Sequence, residues 1–293
     1  MTFLGNQFQY KIWFIFLVLN RSKTVLVIGD HKFPCYFIFG DSLVDVGNNN
    51  ELNTGAKANY LPYGIDFPQG PTGRFCNGLL AVDYVAKGLG FKEFIPPYAT
   101  VKEEDVLTGV NYGSAGSGIL EESGDNLGEH FGFDKQILHH KNVVSKIETL
   151  HGNKTYTQYY LKKCLYTINI GSNDYINNYF APKVLDKPHD LTPEQFATAL
   201  ISKFSQNIIL LYELGARKFT IAEIPQVGFS LAEIRLCANN ISCVTEINYA
   251  SSIFNAKQRT LLDELDNNLT EAKFVVPDFN IPTSALLQFN GDY

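Results

Sequence analysis

Three short segments carry the residue types that acyl chemistry needs. Gly40-Asp-Ser-Leu43 sets Ser42 on a tight turn behind the apolar run Cys35–Phe39. A serine held out of the core in this way can act as a nucleophile. The same turn can aim its backbone N–H at a developing oxyanion. An ordinary Asp-Ser turn has the same letters, so the tetrapeptide is weak alone. Asn111-Tyr-Gly-Ser-Ala-Gly-Ser-Gly118 offers glycine N–H groups that can approach an anion closely. Its spacing fits neither G-x-G-x-x-G nor a P-loop, which argues against nucleotide binding. Gly171-Ser-Asn-Asp174 adds a side-chain amide that can donate into the same site. A hydrated Asn-Asp turn is the plain alternative for it.

The elements around these segments alternate. Cys35–Phe39, Leu165–Ile170, Lys218–Ala222 and Lys273–Val276 read as strands, and Gly109–Tyr112 as a shorter one. Residues 132–150 and 244–268 read as helices. A further helix opens at Thr192-Pro-Glu-Gln195, where threonine caps, proline suits the first turn and glutamine completes a capping box. Gly215 closes it. Strands separated by long helices predict a parallel sheet covered on both faces, with the chemistry just past the carboxyl ends of the strands. The three segments fall at three such ends. No internal repeat and no long Pro-, Gly- or Ser-rich linker divides the chain.

Composition bounds the function. The chain has 293 residues, 45% apolar and 18% charged, and is long enough for one full core. The net charge is −6; residues 1–34 sum to +3, which leaves −9 on the rest. An acidic body argues against a nucleic-acid partner. Lys11 before the short apolar run Ile12–Leu19 reads as a secretory signal over residues 1–29; the run is too short to give a stable membrane span. The five cysteines show no C-x-x-C pair, so no metal site is expected. Cys237 and Cys243 are close enough to bridge, and an odd count leaves a thiol over. Asn153, Asn240 and Asn268 each begin an N-x-S/T glycosylation pattern, in agreement with a secreted, extracellular protein.

Taken together, the blocks resemble the secreted plant branch of the GDSL, or SGNH, ester hydrolases and lipases. The resemblance runs from about residue 34 to about residue 280. It rests on Phe37–Asp45 with Gly47-Asn-Asn-Asn50, Asn59–Phe67, Pro71–Gly78, Asn111–Gly116, Gly171–Tyr175, Glu213–Lys218 and Phe254-Asn255. It implies an α/β, flavodoxin-like three-layer α/β/α fold with a parallel sheet. It implies that Ser42 is the nucleophile, that the N–H groups of Ser42 and Gly113 with the side chain of Asn173 form the oxyanion hole, and that Asp41 shapes the turn. The implied reaction is hydrolysis of small-molecule or lipid esters through an acyl-serine intermediate, with no cofactor.

The pattern breaks at one place. The family's general base is a histidine in a D-x-x-H block after the last strand. No histidine lies between Val276 and Tyr293. Residues 34–293 are therefore expected to be a single domain truncated at its carboxyl end, with apolar surface uncovered beside the last strand. Asp186-Lys-Pro-His189 has the D-x-x-H spacing but sits in a variable loop, so His189 with Asp186 is a poor candidate base. His130, His139, His140 and His151 are expected on a helix surface. Val46, where the family usually carries asparagine, is expected to alter the site mouth. The competing functional reading is a catalytically impaired pseudoenzyme that binds an acyl or glycan ligand; a structural glycoprotein is a more distant one.

Overall fold

The structure is a computed structural model, and it describes residues 33–181, 190–238 and 240–277. By its internal contacts the chain divides into residues 1–32 and 33–293, and every described residue lies in the second unit. The signal assigned to residues 1–29 lies outside the described residues, as do Asp186, His189 and the segment after residue 277.

Among the described residues four parallel strands lie in sequence order: β1 (Tyr36–Gly40), β2 (Leu165–Asn169), β3 (Lys218–Ile221) and β4 (Lys273–Val275). Phe39 pairs with Ile168, Ile168 with Ile221, and Thr220 with Val275. The expected short strand at residues 109–112 is extended chain along the free edge of β1. The N–H of Ile38 donates to the Val110 carbonyl (3.1 Å), and the N–H of Tyr112 to the Ile38 carbonyl (2.7 Å). Gly109 at its start and Gly113 just after it keep it to isolated bridges rather than a full strand.

β1 is buried along its whole length, and its side chains alternate between two cores. Phe37 and Phe39 join the larger cluster, with Tyr166, Ile168, Phe219 and Ile221 of the neighbouring strands. That face is covered by α2 (Phe133–His151), α5 (Pro193–Glu213) and α7 (Ile241–Asn268). Tyr36 and Ile38 join a smaller cluster with Val82 and Ala86 of α1 (Ala81–Gly88). The result is the three-layer α/β/α arrangement. Shorter helices are α3 (Lys154–Leu161), α4 (Ser172–Asp174) and α6 (Leu231–Leu236), with single helical turns at Glu104–Leu107, Asp125–Leu127, Tyr175–Tyr179 and Val227–Phe229. Beside β4, a groove of about 560 Å³ runs along α7 and is lined among others by Leu262, Phe274 and Val276.

Local chemistry explains the boundaries. Thr192 Oγ1 accepts from the Gln195 N–H (3.3 Å) and Gln195 Oε1 accepts from the Thr192 N–H (2.9 Å), the expected capping box with Pro193 in the first turn. Helix α7 starts three residues earlier than the apolar pattern suggests, because Asn240 Oδ1 caps the Ser242 N–H (3.0 Å). Asn153 does the same for α3 through the Tyr156 N–H (2.9 Å). Cys35 and Cys164, each just before a strand, are disulfide-bonded, and so are Cys237 and Cys243; Cys76 is a free thiol.

Two expectations about histidine fail. His140 is fully buried and His139 nearly so. His140 Nδ1 lies 3.0 Å from the Tyr112 hydroxyl, with the Phe37 ring edge-on at 4.7 Å, and burial pushes its pKa down to about 3. His139 stacks on Tyr98 at 4.0 Å. His140 packs against strand residues Phe37, Phe39 and Tyr166, whereas His139 is enclosed by Tyr98 and Phe131 outside the sheet. His151, half-buried, is held against Thr157 Oγ1 at 2.9 Å. Val46 likewise lies in the smaller core rather than at a site mouth.

Candidate active site

The turn after β1 depends on Gly40. Its φ is +151°, and a Cβ there would collide with the Asn169 carbonyl and stand 2.8 Å from Val44 Cγ2. The Asp41 N–H donates to the Asn169 carbonyl (3.2 Å), and the Asp41 carbonyl accepts from Val44 (3.1 Å) and Asp45 (3.0 Å). Asp41 Oδ1 accepts from the Leu43 N–H (3.0 Å), so this carboxylate shapes the turn. Its Oδ2 is buried without a hydrogen-bond partner. Burial, with a smaller contribution from the Asp174 charge, pushes the Asp41 pKa up to about 7. Ser42 sits half-buried on the crest. Among the described residues neither its N–H nor its hydroxyl is taken up in a hydrogen bond.

The glycine-rich loop is stitched beneath that crest. Asn111 Nδ2 donates to the Val44 carbonyl (2.8 Å), and Asn48 Nδ2 to the carbonyls of Asn111 (3.0 Å) and Gly113 (2.8 Å). Asp45 accepts from the N–H groups of Gly47 (2.8 Å), Asn48 (2.8 Å) and Ala115 (3.0 Å). The Ser114 N–H (2.9 Å) and the Ser117 hydroxyl (2.9 Å) both donate to the Gly40 carbonyl. The N–H of Gly113 donates to Asn111 Oδ1 at 2.8 Å and is therefore turned into the loop, away from a ligand. Three residues on, the N–H of Gly116 has no acceptor among the described residues.

The third segment closes on the same loop. Asn173 Nδ2 donates to the Ser117 carbonyl (2.9 Å), while Asn177 Nδ2 holds Asn173 Oδ1 (2.6 Å). The next residue, Asp174, is fully buried and accepts from the N–H groups of Ile119 (2.8 Å) and Leu120 (2.9 Å) and from the Ser123 hydroxyl (2.7 Å). Burial moves its pKa up to about 6 against those bonds. Ser42, the 111–118 loop and Asn173 thus meet around Gly40 and Ser117, as three strand ends of a parallel sheet should.

Sequence reasoning missed the supports: Asn48, Asp45, Asn111, Asp174 and Gln136. The Asn48-Asn-Asn50 run was a visible signal, since side-chain amides can satisfy loop carbonyls. Gln136, on α2, gave none. The three glycosylation-pattern residues Asn153, Asn240 and Asn268 are all exposed. No group of three His, Cys, Asp or Glu among the described residues is arranged to hold a metal, and no described helix is long and apolar enough to cross a membrane.

Comparison with known proteins agrees with this geometry. The family model of the GDSL-like lipase/acylhydrolases matches residues 36–292. The chain is 48% identical over 265 residues to the GDSL esterase/lipase At1g29670 of Arabidopsis thaliana, covering 90% of this chain and 73% of that one. It is 46% identical over 242 residues to GDSL esterase/lipase At5g45670 of the same plant, covering 82% and 67%. It is 45% identical over 250 residues to GDSL esterase/lipase At4g18970, again from Arabidopsis, covering 85% and 69%. With its serine turn, its glycine loop and its Asn173 amide in one place, the chain belongs to the GDSL-like lipase/acylhydrolase family.

Proposed function

We propose that this protein hydrolyses carboxylic esters, acyl lipids among them, through an acyl intermediate on Ser42. The observation that carries the reading is the open hydroxyl and N–H of Ser42 on a turn bonded, through Ser117, to Asn173. Ser42 Oγ attacks the ester carbonyl. The oxyanion is received by the Ser42 N–H and the remaining Asn173 amide hydrogen. Gly113 gives up the third place, because its N–H is spent on Asn111; the open N–H of Gly116 takes it. The alcohol leaves, and water then releases the acid from Ser42. Asp41 holds the turn and is no base: it is enclosed, and its Oδ1 is committed to Leu43.

The proton of Ser42 needs an acceptor. His189, with Asp186, has the sequence spacing and lies outside the described residues. His130 is a described histidine beside the loop, its Cβ 3.9 Å from where a Gly116 methyl would stand. Hydrolysis of a short-chain ester separates them: Ser42→Ala should abolish turnover, and whichever of His130→Gln and His189→Gln cuts kcat identifies the acceptor. Ester binding by folded wild-type protein without turnover would instead return the impaired, ligand-binding reading.

Export is part of the proposal. It is supported by the leader-like residues 1–29, by two disulfides of the kind that persist in oxidising compartments, and by exposed acceptor asparagines at 153, 240 and 268. Residues 34–293 then form one catalytic domain.

A further inference from the structure

Gln136 stands out among the buried polar side chains, because its carboxamide ties together the serine turn, the loop beside it and the Phe131 carbonyl just ahead of its own helix. The Gly40 N–H donates to Gln136 Oε1 at 2.9 Å, and Gln136 Nε2 donates back to the Gly40 carbonyl at 2.8 Å. Nε2 also reaches the Ser117 hydroxyl (3.2 Å) and the Phe131 carbonyl (2.8 Å). The side chain is wholly buried, and 96 residues separate it from Gly40. Gly40 is the hinge of the nucleophile turn, and Ser117 is the residue whose carbonyl orients Asn173.

We infer that Gln136 is a positioning residue for the reaction assigned to Ser42. Its paired donor and acceptor clasp the backbone N–H and carbonyl of one residue, Gly40, and so span the two peptide units that meet there, a pattern that no apolar side chain can supply. Through Ser117 the same carboxamide fixes the distance between the nucleophile turn and the Asn173 amide. Nothing in its surroundings brings it to the substrate, so it acts on the reaction through Gly40 and Ser117. Small misplacements of reacting groups are costly, on the order of 100-fold in rate for about 1 Å.

This inference rests on the hydrolase reading, and the test keeps the two apart. Full-length wild type and Gln136→Met, which keeps length and bulk, are compared for kcat, KM and melting temperature with a short-chain ester. The exchange rates of the Gly40 and Asp41 amides, both hydrogen-bonded in the turn, are measured on the same samples. Expected for Gln136→Met is a kcat lower by about 100-fold with KM within a few-fold. Faster exchange confined to these amides of the turn should accompany it. In Gln136→Glu, a protonated carboxyl can donate to the Gly40 carbonyl as Nε2 does, so its activity relative to wild type should recover as pH falls. Unchanged kcat and unchanged exchange in folded Gln136→Met would overturn the inference. If wild type is inactive the hydrolase reading fails by itself, and the exchange data still decide whether Gln136 holds the turn. If Gln136→Met does not fold, the pH dependence of Gln136→Glu decides: no recovery rejects the positioning role.

Discussion

The Asn173 side chain is fixed at both ends: its Nδ2 donates to the Ser117 carbonyl at 2.9 Å, and its Oδ1 is held by Asn177. One amide hydrogen is left over, and its direction is set before any substrate arrives. Preorganised donors of this kind lose nothing to reorientation during the reaction. Asn173→Ala is expected to lower kcat by about 10²–10³-fold with little change in KM, as loss of one oxyanion donor does. Steady-state kinetics on a soluble ester check this; a rise in KM at constant kcat would assign Asn173 to ground-state binding.

Gly40 sits where only glycine fits. A side chain would meet the Asn169 carbonyl on the adjacent strand, and that backbone atom cannot swing aside. Gly40→Ala is expected to cost several kcal/mol, enough to leave little folded protein at 37 °C. Expression yield and the urea midpoint report it.

The buried Asp41 gives the fold a pH dependence. Its pKa rises from an ordinary 3.8 to about 7 in the folded protein, first through burial and then through the nearby carboxylate of Asp174. Between those two values the folded chain holds a proton that the unfolded chain has released. Stability should therefore fall as pH rises from about 4 to about 7 and level off above that. Asp174, at about 6, acts in the same direction. Urea midpoints measured from pH 4.5 to pH 8 should decline in wild type and decline less in Asp41→Asn, which keeps the Leu43 contact. A midpoint that climbs with pH across this range would show that Asp41 is ionised in the native turn.

The disulfides should differ in weight. Cys35–Cys164 closes a segment with a sequence separation of 129, whereas Cys237–Cys243 closes one of 6. In the chain-entropy account that corresponds to about 5 kcal/mol against about 2 kcal/mol. Removing the first pair as Cys35→Ala with Cys164→Ala should lower the denaturation midpoint far more than removing the second. Equal losses would point to native-state strain rather than loop closure.

The parts of the fold that local chemistry dictates were legible in the sequence. Cys35–Phe39 differs by one residue from β1, and the Thr192 cap placed the start of α5 correctly. The strand-end rule found Ser42, the 111–118 loop and Asn173 because glycines mark the places where the chain turns past the sheet edge. What was hidden depends on distance along the chain. Gln136 meets Gly40 across 96 residues, and no local pattern sets it apart from any helical glutamine. The Cys35–Cys164 bond needs β1 and β2 to be neighbours, and sequence spacing does not reveal that. His139 and His140 read as surface residues because imidazole is usually wet; only their distant aromatic neighbours, Tyr98 for one and Phe37 for the other, enclose them. Gly113 and Gly116 are chemically alike, and a single hydrogen bond to Asn111 separates them.

The most direct test of the central claim is intact-mass and peptide mass spectrometry after treatment with a serine-directed fluorophosphonate. One adduct per chain is expected, on the peptide carrying Ser42, and none in Ser42→Ala. A folded wild-type protein that remains unlabelled, or carries its adduct on another serine, would contradict it.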